Sequence, residues 1–166
     1  TGLRALLAIF FGAYLDKREL QNALSGDVFE QPGADGELWF DYVADLGDGF
    51  HATYSVAYLL AQPRLEVGGR VLPRGDVLLM GGDQVYPLAR SDGYENRTKG
   101  PYRAAMPAAP PGGAPALFAL PGNHDWYDGL TAFLRLFARR KDGHLGAWRT
   151  RQHRSYFAIK LPANWW

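Results

Sequence analysis

Short, nearly continuous apolar runs, each closed by glycine and polar side chains, occupy the middle of the chain. Asp76-Val77-Leu78-Leu79-Met80 runs into Gly81-Gly82-Asp83, and Ala116-Leu117-Phe118-Ala119-Leu120 into Pro121-Gly122-Asn123-His124-Asp125. Four or five apolar residues without a polar face predict strands buried on both sides, as in a parallel sheet. Leu38-Trp39-Phe40-Asp41-Tyr42-Val43-Ala44, rich in aromatic and β-branched residues, predicts another strand, which ends at Asp45-Leu46-Gly47-Asp48-Gly49. Residues 53–62 read as a helix stopped by Pro63, followed by a short hairpin around Gly68-Gly69. Leu130, Phe133, Leu134 and Phe137 recur at helical spacing, which predicts an amphipathic helix capped by Asp128 and running through Arg140. Residues 155–161 alternate like a half-exposed strand. At the front, residues 3–24 predict a helix, and Pro32-Gly33-Ala34-Asp35-Gly36 a loop. Between residues 87 and 115, six prolines predict a long irregular excursion, a feature that compact domains keep for function.

Composition narrows the classes. The 166 residues suit one domain, and 47% hydrophobic against 21% charged residues suffice for a core. Lys and Arg number 18 and Asp and Glu 17, so the basic footprint of a nucleic-acid binder is missing. With no cysteine, the chain has no disulfide framework, thiolate nucleophile or iron–sulfur cluster, and any metal must be held by oxygen and imidazole. The apolar stretch 3–13 is shorter than the ~20 residues of a membrane span, so a buried helix is expected. A cytoplasmic protein is the favoured expectation, with membrane association through residues outside this sequence as the other. Thr1 at the front and Trp165-Trp166 at the end read as the limits of a piece of a longer protein.

The chemistry lies in a repetition. Three apolar strands each end in a glycine-containing turn with a carboxylate, or with Asn and His. In an open parallel sheet the carboxyl ends of the strands gather at one edge, where ligands bind. Asp45, Asp83 and Asn123, which are 38 and 40 positions apart, are therefore expected to converge together with His124. Hard oxygens with imidazole suit Zn, Mn, Fe or Mg. Asp45-Leu-Gly or Gly82-Asp83 alone would predict only a turn. Gly-Asn-His-Asp directly after a buried strand is stronger, because three polar side chains crowd a place where a turn needs one.

The ordered trio resembles the signature of the calcineurin-like metallophosphoesterases, which runs Asp-x-His/Gly, Gly-Asp-x-x-Asp/Tyr and Gly-Asn-His-Asp/Glu, then an isolated His and Gly-His-x-His. Asp45-Leu46-Gly47, Gly82-Asp83-Gln84-Val85-Tyr86 and Gly122-Asn123-His124-Asp125 match the first three blocks, in the variants of the purple acid phosphatase branch. The resemblance implies an α/β fold, a layered β-sandwich flanked by helices and truncated at its C-terminal side. Residues 1–37 would be a helical lead-in and 38–166 the N-terminal half of the phosphoesterase domain. It implies two divalent or mixed-valence metal ions (Fe, Mn or Zn). Asp45, Asp83 and Tyr86 would hold the first, and Asp83 would bridge to the second, held also by Asn123. A bridging hydroxide would attack a phosphorylated small molecule or another phosphoester. His124 would stabilise the transition state or protonate the leaving oxygen, with Asp125 orienting the imidazole. The late histidine blocks are expected beyond Trp166, so residues 1–166 alone should bind metal weakly and hydrolyse little. The alternative is a non-catalytic metal-binding or scaffold relative. His51 is expected at a helix start near the site mouth, and His144 and His153 in solvated loops. Arg90, Arg97, Lys99 and Arg103 are candidates for substrate phosphate, although each alone reads as an ordinary surface charge.

Overall fold

The computed structural model describes residues 21–24, 26, 28–138 and 142–166. In chain order the elements are β1 (Val28–Glu30), β2 (Phe40–Val43), α1 (Phe50–Ala61), β3 (Arg64–Val67), β4 (Arg70–Pro73) and β5 (Val77–Met80). Then come α2 (Ser91–Tyr94), a π-helical turn (Glu95–Lys99), α3 (Gly100–Ala105), β6 (Ala116–Ala119), α4 (Thr131–Phe137), β7 (His144–Leu145), β8 (Trp148–Thr150) and β9 (Ala158–Lys160). Single 3₁₀ turns lie at His124–Trp126 and Pro162–Asn164.

The two all-apolar runs take the interior of a sheet, as strands without a polar face must. β5 lies between β2 and β6, parallel to both, with Leu78 opposite Asp41 and Leu117. The full order is β2-β5-β6-β8-β7; β8 is parallel to β6, and only β7, at the edge, is antiparallel. Leu78, Leu117 and Phe118 are wholly buried, and each such burial contributes roughly 1.5–3 kcal/mol. α4 adds Phe133, Leu134 and Phe137 to the same core, with Trp148 from β8 and Tyr94 and Tyr102 from the helical excursion. β1 and β9 form a separate parallel pair, and β3 and β4 an antiparallel hairpin. The architecture is mixed α/β.

Several expectations are corrected. α1 begins at Phe50, three residues earlier than predicted. The excursion is not irregular throughout: residues 91–105 wind through α2, the π-helical turn and α3. Pro101 stands at the start of α3, directly after the π-helical turn. The strand predicted over 155–161 shortens to β9 and pairs with β1, outside the main sheet; β8, too short to be predicted, takes the place beside β6. Helix α4 ends at Phe137, and Arg139 and Arg140 lie outside the described residues. The helix predicted over 3–24 also lies outside them, except that Gln21 and Asn22 are helical. Among the described residues no helix is long and apolar enough to cross a membrane.

Candidate functional site

Parallel pairing of β2, β5 and β6 sets their carboxyl ends side by side, and the hydrogen bonding runs on past the strands. Gly81 N donates to Val43 O at 2.7 Å, Leu120 N to Met80 O at 2.8 Å, and Asp45 N to Gly82 O at 3.0 Å. Three turns are thereby stitched together. Asp45 and Asp83 both take left-handed backbone (φ 59° and 51°), a conformation that non-glycine residues adopt at a cost of roughly 1–2 kcal/mol. The turns approach so closely that two glycines are obligatory. A Cβ on Gly122 would stand 2.1 Å from Asp83 Oδ1, and one on Gly47 would stand 2.3 Å from Gln84 O.

At the centre, the Tyr86 hydroxyl lies 2.9 Å from Asp45 Oδ1 and 2.9 Å from Asp83 Oδ2. The other oxygen of Asp83, a buried residue, accepts the His124 backbone N–H at 2.9 Å. Desolvation, the hydrogen bonds to both carboxylates and their charges hold the Tyr86 phenol well above its ordinary value. One hydroxyl proton can serve only one of the two carboxylates at a time. The cluster is therefore rich in acceptors and short of positive charge, and this donor set fits a hard cation.

The His124 ring is packed by Tyr86, with centroids 4.4 Å apart, and by Tyr127 at 5.0 Å. Its Nδ1 is 2.8 Å from the Pro87 carbonyl oxygen. A carbonyl only accepts, so Nδ1 carries the hydrogen and, in the neutral ring, Nε2 carries the lone pair.

The structure corrects the role expected of Asp125. It is fully buried and turned away from the imidazole. It accepts Gly122 N–H at 2.8 Å, Gln84 N–H at 3.2 Å, and the hydroxyl of Tyr94. Asp125 is thus the tie between the second and third turns, and the partner of the His124 imidazole is a backbone carbonyl. Burial raises the Asp125 carboxyl above its usual range against the pull of these hydrogen bonds, and burial beside Asp125 pushes the Tyr94 phenol up.

Of the expected ligands, Asp45, Asp83 and Tyr86 are brought together. Asn123 is exposed at the start of the 3₁₀ turn, and its side chain makes no hydrogen bond within the described residues. Among those residues no group of three or more His, Asp or Glu side chains is arranged to hold a metal; the set here is two carboxylates and a phenol. His51 is the second residue of α1 and exposed, as expected of a helix start. His144 lies in β7, exposed, while His153 is half-buried with its ring 6.1 Å from that of Phe29 rather than in a solvated loop.

The four candidate phosphate contacts separate. Glu95 accepts Lys99 and, at 3.1 Å, Arg103. Arg97 donates to the Tyr86 carbonyl. Arg90 is exposed and lines a cavity of about 250 Å³ shared with Tyr86, Asn96 and Arg97. Sequence reasoning missed Tyr94 and Thr98; the latter donates to Gln84 O at 2.5 Å. Their spacing of four, with Arg97 between, is the only trace of them in the sequence. The chain matches no family model, no curated protein and no solved structure.

Proposed function

We propose that the chain carries the first half of a calcineurin-like metallophosphoesterase domain and takes part in metal-dependent hydrolysis of a phosphoric ester. The observation that supports this most is the meeting of Asp45 Oδ1 and Asp83 Oδ2 at one phenolic oxygen, at the carboxyl ends of adjacent parallel strands. In this reading the five-stranded sheet is one layer of a helix-flanked β-sandwich. An apolar cavity of about 430 Å³ between Phe40, Val77 and Leu79 on one side and Phe157 and Ile159 on the other is consistent with that layering.

Asp45, Asp83, Tyr86 and Asn123 would hold Fe, Mn or Zn, and when bound such cations neutralise phosphate charge and activate water. The chain's own residues do the rest. Asp83 fixes the backbone of His124 through its second oxygen. Pro87 fixes the ring edge, so that Nε2 can take up a proton and, as the imidazolium, give it to the leaving oxygen, returning to its lone-pair form. Asp125 and Tyr94 keep the turns from separating.

A second reading, a metal-binding or scaffold relative without catalysis, draws support from the absence of a third His, Asp or Glu in the cluster among the described residues. Calorimetric titration of the intact protein with Mn²⁺, together with a p-nitrophenyl phosphate assay, separates the two. The expected result is saturable binding and metal-dependent turnover, both lost in Asp83→Asn. Binding without turnover gives the second reading, and no binding removes both.

A further inference from the structure

The segment between residues 94 and 98 touches the site at three points. The Tyr94 hydroxyl holds Asp125, Arg97 Nη1 holds the Tyr86 carbonyl, and Thr98 Oγ1 holds the Gln84 carbonyl. Tyr94 and Thr98 are buried, so these ties are shielded from water. The neighbouring cations are spoken for: Lys99 and Arg103 both go to Glu95. Arg97 is the cation of this turn that reaches the catalytic loop.

Its target matters because Pro87 is the next residue in the chain. Tyr86 N–H is anchored on Gly47 O at 3.0 Å, and Pro87 has no N–H with which to hold the loop itself. The Tyr86 carbonyl is therefore the last backbone handle before the Pro87 carbonyl, which accepts the hydrogen bond from His124 Nδ1–H. Tyr86 and Tyr127 pack the imidazole and fix its plane. Packing cannot tell one edge of the ring from the other. A half-turn about the Cβ–Cγ bond keeps the plane and exchanges Nδ1 with Cδ2. Only the hydrogen bond to Pro87 O selects the edge and, with it, the tautomer.

We propose that Arg97 is a positioning residue for His124: by holding the Tyr86 carbonyl it fixes the Pro87 carbonyl, and so sets the tautomer that leaves Nε2 open for proton exchange. This rests on the proton-transfer role given to His124 above. Arg97 touches no reacting atom and acts through two consecutive carbonyls. The charge-assisted donor and the length of the side chain both count: Met offers no N–H donor and no charge, and Lys keeps the charge on a shorter side chain without the planar fork.

The test compares the parent protein with Arg97→Met and Arg97→Lys. The first readout, taken on metal-free protein and independent of turnover, is the His124 ring tautomer by ¹⁵N NMR at a pH where the ring is neutral. The parent is expected to show the Nδ1–H form alone, Arg97→Met a mixture of both forms, and Arg97→Lys a partial return. The second readout is p-nitrophenyl phosphate hydrolysis by the metal-loaded intact protein. Arg97→Met should lower kcat about tenfold, with KM within about twofold, and Arg97→Lys should recover part of it. A single Nδ1–H tautomer in Arg97→Met overturns the proposal, as does a kcat that falls only with the folded fraction. If the parent hydrolyses nothing, the functional reading fails and the tautomer spectrum alone decides the Arg97 contact. If Arg97→Met does not fold, Arg97→Lys decides by the same spectrum.

Discussion

Two carboxylates and one phenol share a single hydroxyl proton in this site, and the Tyr86 phenol is held above its ordinary value by desolvation and by both acids. Without metal, Tyr86 should therefore stay protonated beyond the range near pH 10 where a free phenol ionises. A trivalent cation reverses that order, because its charge favours the phenolate more than two carboxylates oppose it. The expected outcome is a visible iron–phenolate absorption in iron-loaded intact protein that disappears in Tyr86→Phe. A colourless iron complex, indifferent to Tyr86→Phe, would remove Tyr86 from the ligand set. Gly122 offers a second test at this scale. The added methyl of Gly122→Ala would overlap Asp83 Oδ1 at 2.1 Å and Asp83 N at 2.4 Å. It should cost about 1–3 kcal/mol in urea unfolding and weaken metal binding, since Asp83 must move. These residues were legible in the sequence because Gly82-Asp83 and Gly122 each close an all-apolar run that reads as a buried strand, and Asp45 closes a run of aromatic and β-branched residues. The Pro87 carbonyl was not, since a backbone acceptor leaves no mark in a side-chain pattern.

Among the elements, α4 is held at its start by a side chain three residues before it. Asp128 accepts the N–H of Thr131 and of Ala132, both at 2.9 Å. Asp128→Ala should lower stability by about 1 kcal/mol, read as a shift of the urea midpoint at unchanged slope. Strand β2 carries a different dependence. Asp41 accepts Gly75 N–H at 3.0 Å, where the chain enters β5. Desolvation raises its carboxyl despite that bond and despite Arg74. The folded chain therefore keeps this proton to higher pH than the unfolded chain, whose Asp titrates near 3.9. The stability it contributes is complete below that value and is lost as pH climbs through the raised one. Asp41→Asn retains an acceptor for Gly75 but cannot ionise. Its urea midpoint should gain on the parent's as pH rises from about 4, and parallel profiles would refute the assignment. The long runs of β5 and β6 announced themselves, whereas β7 and β8, with two and three residues, are shorter than any periodicity can resolve. The helical excursion was hidden by Gly100 and Pro101. Both read as breakers, although the helical path runs through them from the π-helical turn into α3.

For the whole molecule, the parallel sheet gathers all three turns at one edge and makes the site a product of topology rather than of any local motif. Tyr86 reaches Asp45, His124 reaches Asp83 and Gln84 reaches Asp125 across the same sequence separation, 41 residues in each case. Contacts so distant close late in folding, after helices and hairpins that need only near neighbours. Pulse-labelled hydrogen exchange during refolding should find the amides of Gln84 and His124 unprotected while α1 and the β3–β4 hairpin are already formed. Early protection would show a local nucleus instead. The same spacing sets a clock on synthesis. At roughly 5–20 residues per second, Tyr86 leaves the ribosome roughly 2–8 s after Asp45, and Gln84 waits as long again for Asp125. Through that interval the acidic turns are separate, hydrated loops that can hold a cation no better than free aspartate does. On the proposed reading, metal would be taken up only by a chain whose sheet has closed, so loading would report that the fold is finished.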